Sequence, residues 1–204
     1  TAIATGQARV QVESEGVMAS VVVVVPDTFV DVIAGGSHTC VMTDAMALHC
    51  AGRNQFSVLG LSGSMDRLTL EFVSSAHSFT EISSLTLQQC GITDQNKMYC
   101  WGANFAGQLG DGTTLSSAAM IAIAPAMSFS QVSAGGAHTC ALTLTGEAWC
   151  WGSNDYGQLG TGDVTQQNEP TPVMGGRTFT QIAAGGSHTC ALEALTGELL
   201  CWGR

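Results

Sequence analysis

The chain has 204 residues, 45% hydrophobic and only 11% charged, with 25 glycines and a formal net charge of −10. Six Lys and Arg against 16 Asp and Glu give no clustered basic surface, so neither nucleic acid nor an anionic membrane surface is an expected partner. No stretch approaches the ~18 apolar residues of a membrane span, and no signal peptide is visible, so membrane insertion is not expected either.

In chain order, the first landmark is the valine run Val21 to Val25. It is strongly β-prone, and Val21, Val23 and Val25 are read as an edge that can pair with another chain. Residues 1–28 are expected to supply strands that lead into or complete a sheet unit. From Phe29 onward the sequence repeats. Phe29, Phe79, Phe129 and Phe179 fall at intervals of 50, as do Cys40, Cys90, Cys140 and Cys190. A period in this range denotes stacked copies of one supersecondary unit. The copies are 29–78, 79–128, 129–178 and an incomplete 179–204. The chain opens at Thr1 and stops at Arg204 partway through a copy, which leaves open a processed chain or a fragment.

The third copy shows the unit most clearly. Phe129 to Ala134 is a short apolar run ended by Gly135-Gly136. Residues 138–143 form a second strand, Thr145-Gly146 a turn, and Ala148 to Trp151 a third strand. A Gly-rich loop and a fourth run follow, the latter seen in the preceding copy as Met120 to Ala124. Short strands punctuated by glycine predict an all-β repeat of four antiparallel strands, the size of a β-propeller blade. About four such units predict part of a larger ring or an open array.

The second set of cysteines, Cys50, Cys100, Cys150 and Cys201, flanks the same turn. In an antiparallel hairpin Cys140 faces Cys150, which predicts the bridges Cys40–Cys50, Cys90–Cys100, Cys140–Cys150 and Cys190–Cys201. The one-residue insertion in the last pair falls in its turn, Glu193 to Gly197, where paired strands need it. Eight cysteines in matched pairs point to an oxidising compartment, hence an extracellular or cell-surface location.

The strings Ala134 to Leu142, Trp101 to Gly112, Trp151 to Gly162 and Ala184 to Leu192 resemble the regulator of chromosome condensation repeat. The resemblance spans roughly residues 29–204 and implies a β-propeller. The paired cysteines look like those of secreted or surface-exposed variants. The family name implies nucleotide exchange at chromatin, a role not carried over, because the cysteines and the acidic balance point elsewhere. Repeat two departs from the pattern, with Ser84-Leu85-Thr86-Leu87-Gln88-Gln89 where its siblings have Gly-Gly-x-His. Repeat one has Ala51 in place of tryptophan and Ser57-Val58-Leu59-Gly60 in place of Gly-Gln-Leu-Gly.

Candidate sites are few. His38, His138 and His188 each precede a cysteine by two residues. They are read as structural residues bonding across a turn rather than zinc ligands, since no fourth ligand accompanies them. Trp101, Trp151 and Trp202 share one phase and are read as packing between units. Trp149 and Tyr156, with Phe105, Asn104 and Asp155 from the Gly-rich loops, are the candidates for exposed partner contacts. His49 and His77 are read as surface residues. No catalytic set, metal site or cofactor motif is visible, so an enzyme is not expected. The expected function is that of a structural or assembly unit of a surface or filament structure acting through protein–protein contacts. The alternative is an adhesin- or inhibitor-like binding module for a protein partner.

Overall fold

A computed structural model describes residues 2–4, 7–14, 17–24, 28–74 and 76–204. Among the described residues every element is a strand, apart from one 3-10 turn at Gln55–Ser57. β1 (Ala2–Ala4), β2 (Gln7–Ser14) and β3 (Val17–Val24) form a three-stranded antiparallel sheet in sequence order. Val21 and Val23 lie in β3; Val25 lies outside the described residues.

Three four-stranded antiparallel meanders follow. The first is β4 (Phe29–Ala34), β5 (His38–Thr43), β6 (Leu48–Gly52) and β7 (Arg67–Ser74). The second is β8 (Phe79–Ser84), β9 (Gln88–Thr93), β10 (Met98–Gly102) and β11 (Ser117–Ile123). The third is β12 (Phe129–Ala134), β13 (His138–Thr143), β14 (Ala148–Gly152) and β15 (Gln167–Pro172). The fourth repeat has three strands, β16 (Phe179–Ala184), β17 (His188–Glu193) and β18 (Leu199–Gly203). Among the described residues the sheets are not closed into a ring. No helix among the described residues is long and apolar enough to cross a membrane.

Local chemistry sets this geometry. The turn between the second and third strands closes with Gly146 N–H donating to Thr143 C=O at 3.0 Å. Gly146 sits at φ +83°, a conformation glycine adopts without steric cost. Asn96 and Met46 hold the same place in the earlier repeats at φ +57° and +59°. Each first strand carries an irregularity just after its phenylalanine, as between Phe129 and Gln131. A bulge of this kind shifts the alternation of faces. It turns Phe129 and Val132, three residues apart, onto the same buried side, which a regular period of two would forbid.

The core lies between sheets rather than inside any one of them. Ile33, Met42, Leu48 and Leu59 of repeat one pack with Phe79, Ile82 and Trp101 of repeat two. Ile92, Met98, Leu109 and Ile123 meet Phe129, Val132 and Trp151 at the next junction. Leu142, Ala148 and Leu159 meet Phe179, Ile182 and Trp202 at the third. The first strands β4, β8, β12 and β16 lie side by side along one edge of the array.

Four disulfides join second and third strands within each repeat: Cys40–Cys50, Cys90–Cys100, Cys140–Cys150 and Cys190–Cys201. Each pair is directly opposed in the ladder, as Cys140 is to Cys150. Replacing Cys140 and Cys150 together by alanine is expected to lower stability by roughly 2–3 kcal/mol, the chain-entropy value for so short a loop. Trp151→Ala is expected to cost more, about 3–5 kcal/mol, because it empties a junction between sheets. Guanidinium unfolding of the three proteins side by side measures both effects.

Candidate functional site

The junctions between repeats are built on one backbone carbonyl apiece. The Gln108 carbonyl accepts from the Trp151 indole N–H at 2.9 Å and from the Thr139 hydroxyl at 2.8 Å. The Gln158 carbonyl accepts in the same way from Trp202 at 2.9 Å and Thr189 at 2.8 Å. At the first junction the Val58 carbonyl receives Trp101 at 2.9 Å, and the Gln89 amide replaces the threonine at 2.8 Å. Gly110 lies directly beneath the indole: a Cβ there would stand 2.6 Å from Trp151 Nε1. The final glycine of Gly-Gln-Leu-Gly is therefore a seat for the tryptophan of the next repeat.

A second set of bonds runs along the first strands. Glu81 and Ser83 accept from Val132 N–H at 3.3 Å and Ala134 N–H at 2.9 Å. Gln131 and Ser133 accept from Ile182 N–H at 2.8 Å and Ala184 N–H at 2.9 Å. Repeat one has Asp31 and Ile33 in these places. The shorter Asp31 carboxylate accepts from the N–H of its own neighbour Val32 at 2.8 Å. Ile33 offers no side-chain acceptor.

The histidines join sheets, which corrects the expectation that they bond across a turn. His138 Nε2 meets Thr189 Oγ1 at 2.9 Å, and His38 Nε2 meets Ser84 Oγ at 2.9 Å. Thr189 spends its one proton on the Gln158 carbonyl, and Ser84 spends its own on the Gln88 carbonyl at 3.1 Å. Each imidazole must therefore donate from Nε2, which leaves Nδ1 bare. His138 Nδ1 is buried without a partner. A second proton would have to go there, so burial pushes both histidines down to about 4. His188, at the end of the array, is exposed.

The irregular second repeat has its own logic. Each histidine ring lies on a glycine; a Cβ at Gly135 would stand 2.5 Å from His138 Cε1. Repeat two has Gln88 for the histidine and Leu85 for the glycine, so the two exchanges accompany one another. The Gln88 amide donates to the Gly135 carbonyl at 2.8 Å, and Thr86 donates to the Gly136 carbonyl at 2.6 Å. The repeat that looks degenerate supplies substitute bonds to its neighbour.

The loops between third and fourth strands carry the exposed aromatics. Phe105 is 59% exposed and meets the Phe56 ring edge-on at 4.6 Å across the first junction. Tyr156 is 48% exposed, with the Arg204 guanidinium 5.1 Å from its ring centre. Asp155 beside it is exposed. Asn104 is not a contact residue: it is fully buried, accepting from Leu109 N–H at 2.9 Å and donating to the Thr113 and Leu115 carbonyls. Asn54 and Asn154 brace their loops in the same manner. Trp149 is also reassigned. It is half-buried against the second junction, in the phase of Tyr99 and Leu200, and its indole N–H has no partner. His77 stacks on Tyr99 at 4.0 Å, and His49 meets the Phe72 ring at 5.5 Å. All eight cysteine sulfurs are tied up in disulfides, and no cluster among the described residues could hold a metal ion.

The buried histidines make stability depend on pH. Their folded value lies below the unfolded one, so the contribution is full above about 6.5 and is lost as pH falls toward 4. Unfolding at pH 7 and pH 4.5 should differ by roughly 2 kcal/mol per histidine. In His138→Gln, which copies the residue of repeat two, about half of that difference should disappear.

Comparison with known proteins follows this geometry. The model for the regulator of chromosome condensation (RCC1) repeat matches residues 95–142 and 145–192, and a second model of the same repeat matches 129–158. No curated protein matches the chain. Among solved structures, yeast RCC1 (Prp20) bound to Kap60 aligns with a TM-score of 0.78 at 21% identity, over 92% of this chain and 46% of the other. Prp20p from Saccharomyces cerevisiae aligns at 0.77 and 21%, over 92% and 48%. The ectodomain of the Physcomitrella patens receptor kinase CR4 aligns at 0.61 and 17%, over 88% and 42%. The chain thus spans about half the length of the structures it matches. With its four-stranded sheets and its in-phase Trp, His and Gly-Gln-Leu-Gly positions, the chain belongs to the regulator of chromosome condensation (RCC1) repeat family, of β-propeller type.

Proposed function

We propose that this protein is a non-enzymatic extracellular β-repeat protein, a structural or assembly unit that works through protein–protein contacts. One observation carries the reading. The apolar core lies between successive sheets rather than inside any one of them, with Phe79 and Trp101, Phe129 and Trp151, and Phe179 and Ile182 each buried against the sheet before. Sheets built to be covered by a neighbouring sheet suit a protein that works through protein–protein contacts. Four disulfides suit an oxidising setting, and the same fold serves as a receptor-kinase ectodomain in Physcomitrella patens. Sedimentation and negative-stain microscopy of the oxidised protein should show rings or fibres; a monodisperse monomer at high concentration would count against the reading.

A second reading, a binding module gripping a protein partner, is favoured by the exposed rings of Phe105 and Tyr156 on the loop face. Yeast RCC1, similar in fold, is solved bound to Kap60, which is in keeping with a protein partner. Under this reading Phe105→Ala with Tyr156→Ala should abolish capture of the partner and leave the folded spectrum unchanged.

A further inference from the structure

The first and second junctions differ most at their outer ends, where fourth strands meet. In the first, Leu61, Val73 and Met120 pack against the apolar cluster between the sheets. One repeat further on the same three places hold Asp111, Ile123 and Pro170. Ile123 keeps its packing and is buried in the second cluster. The other two exchanges take away a leucine and a methionine side chain. A cavity of about 400 Å³ stands in this region, lined by Ile121, Pro125, Met127 and Pro170 together with Asp111 and Glu169. That volume is within the range of natural ligand pockets, roughly 300–1,000 Å³.

The two carboxylates are brought to this cavity by different elements. The Gly112 N–H donates to the Asn168 carbonyl at 2.9 Å, which ties the loop after β10 to β15. A Cβ on Gly112 would stand 2.9 Å from Glu169 Oε1, so the Glu169 carboxylate lies beside the residue that follows Asp111. Asp111 is held in place by Asn104 at 3.1 Å and by the Thr113 N–H at 3.0 Å. Glu169 is exposed, and among the described residues no cation pairs with either carboxylate.

We propose that this groove receives a lysine side chain from a protein partner. The inference rests on the reading that the protein works through protein contacts, and it names the chemistry of one of them. A lysine has an apolar four-carbon stem and a compact charged head. The stem suits the wall of Ile121, Pro125, Met127 and Pro170, and the head suits two carboxylates supplied from separate elements. The occupant belongs to another protein. Lys97 is the only lysine in the sequence. Its ammonium already donates to the Pro125 and Met127 carbonyls at 3.1 and 2.9 Å.

The test uses a capped peptide, acetyl-leucyl-lysyl-leucine amide, whose one amine is the lysine side chain. Carbodiimide coupling joins a carboxylate to an amine held against it, and mass spectrometry locates the bond. Glu169 should be labelled at least tenfold more than the exposed carboxylates of Glu71 and Asp155. Pro170→Met leaves both groove carboxylates in place and restores the residue that fills the first junction. Its fold is checked by circular dichroism and non-reducing mass, and its labelling at Glu169 should fall at least tenfold. Even labelling of the three carboxylates, or unchanged labelling of Glu169 in Pro170→Met, overturns the groove and leaves contacts through other surfaces standing. The protein-contact reading falls separately, if the parent neither assembles nor captures a partner.

Discussion

A sheet of four short strands has two faces and can bury neither alone. Every other feature of this molecule answers that constraint. The phenylalanines, the tryptophans and the bulges that bring Phe129 and Val132 to one side all serve to lay each sheet on the next. So does the doubly used carbonyl at positions 58, 108 and 158, which receives an indole and a hydroxyl or amide from the following repeat. A buried carbonyl left without a partner costs about as much as a lost hydrogen bond, so these bonds fix the register of the stack as well as its cohesion.

The junctions are alike in plan and unlike in detail. The first lacks the pair of side-chain-to-backbone bonds that Glu81, Ser83, Gln131 and Ser133 give the later two. It holds instead through Gln89, Trp101 and the His38–Ser84 contact, with the Phe56–Phe105 ring pair above. Its apolar core is nonetheless complete, with Leu48, Leu59, Phe79 and Trp101 all buried. Hydrophobic area supplies the bulk of the stabilisation and tolerates exchange of polar partners, provided each buried group finds one.

Much of the architecture was legible in the sequence because the period is so regular. Phenylalanine and tryptophan spacing located the strands, and the shared phase of Trp101, Trp151 and Trp202 placed them between units. What escaped was anything that depends on the neighbouring repeat in space. His138 meets Thr189, far along the chain, and no local pattern shows that. Trp149 looked unique because its equivalents Tyr99 and Leu200 differ in type, although all three occupy one packing position. Asn104 looked like an exposed loop residue; its three recurrences as Asn54, Asn104 and Asn154 were the signal that a buried brace was required. Repeat two looked worn because its exchanges were read one at a time, whereas Leu85 and Gln88 make sense only as a pair.

The disulfides have a consequence for how such a molecule is made. Eight cysteines permit 105 pairings in principle. Here every partner lies 10 or 11 residues away across a single turn. Oxidation can therefore proceed hairpin by hairpin, since each bond needs only its own two strands and the turn between them. Local pairing of this kind favours the native bond over distant mispairings, because closing a short loop costs the chain less entropy than closing a long one.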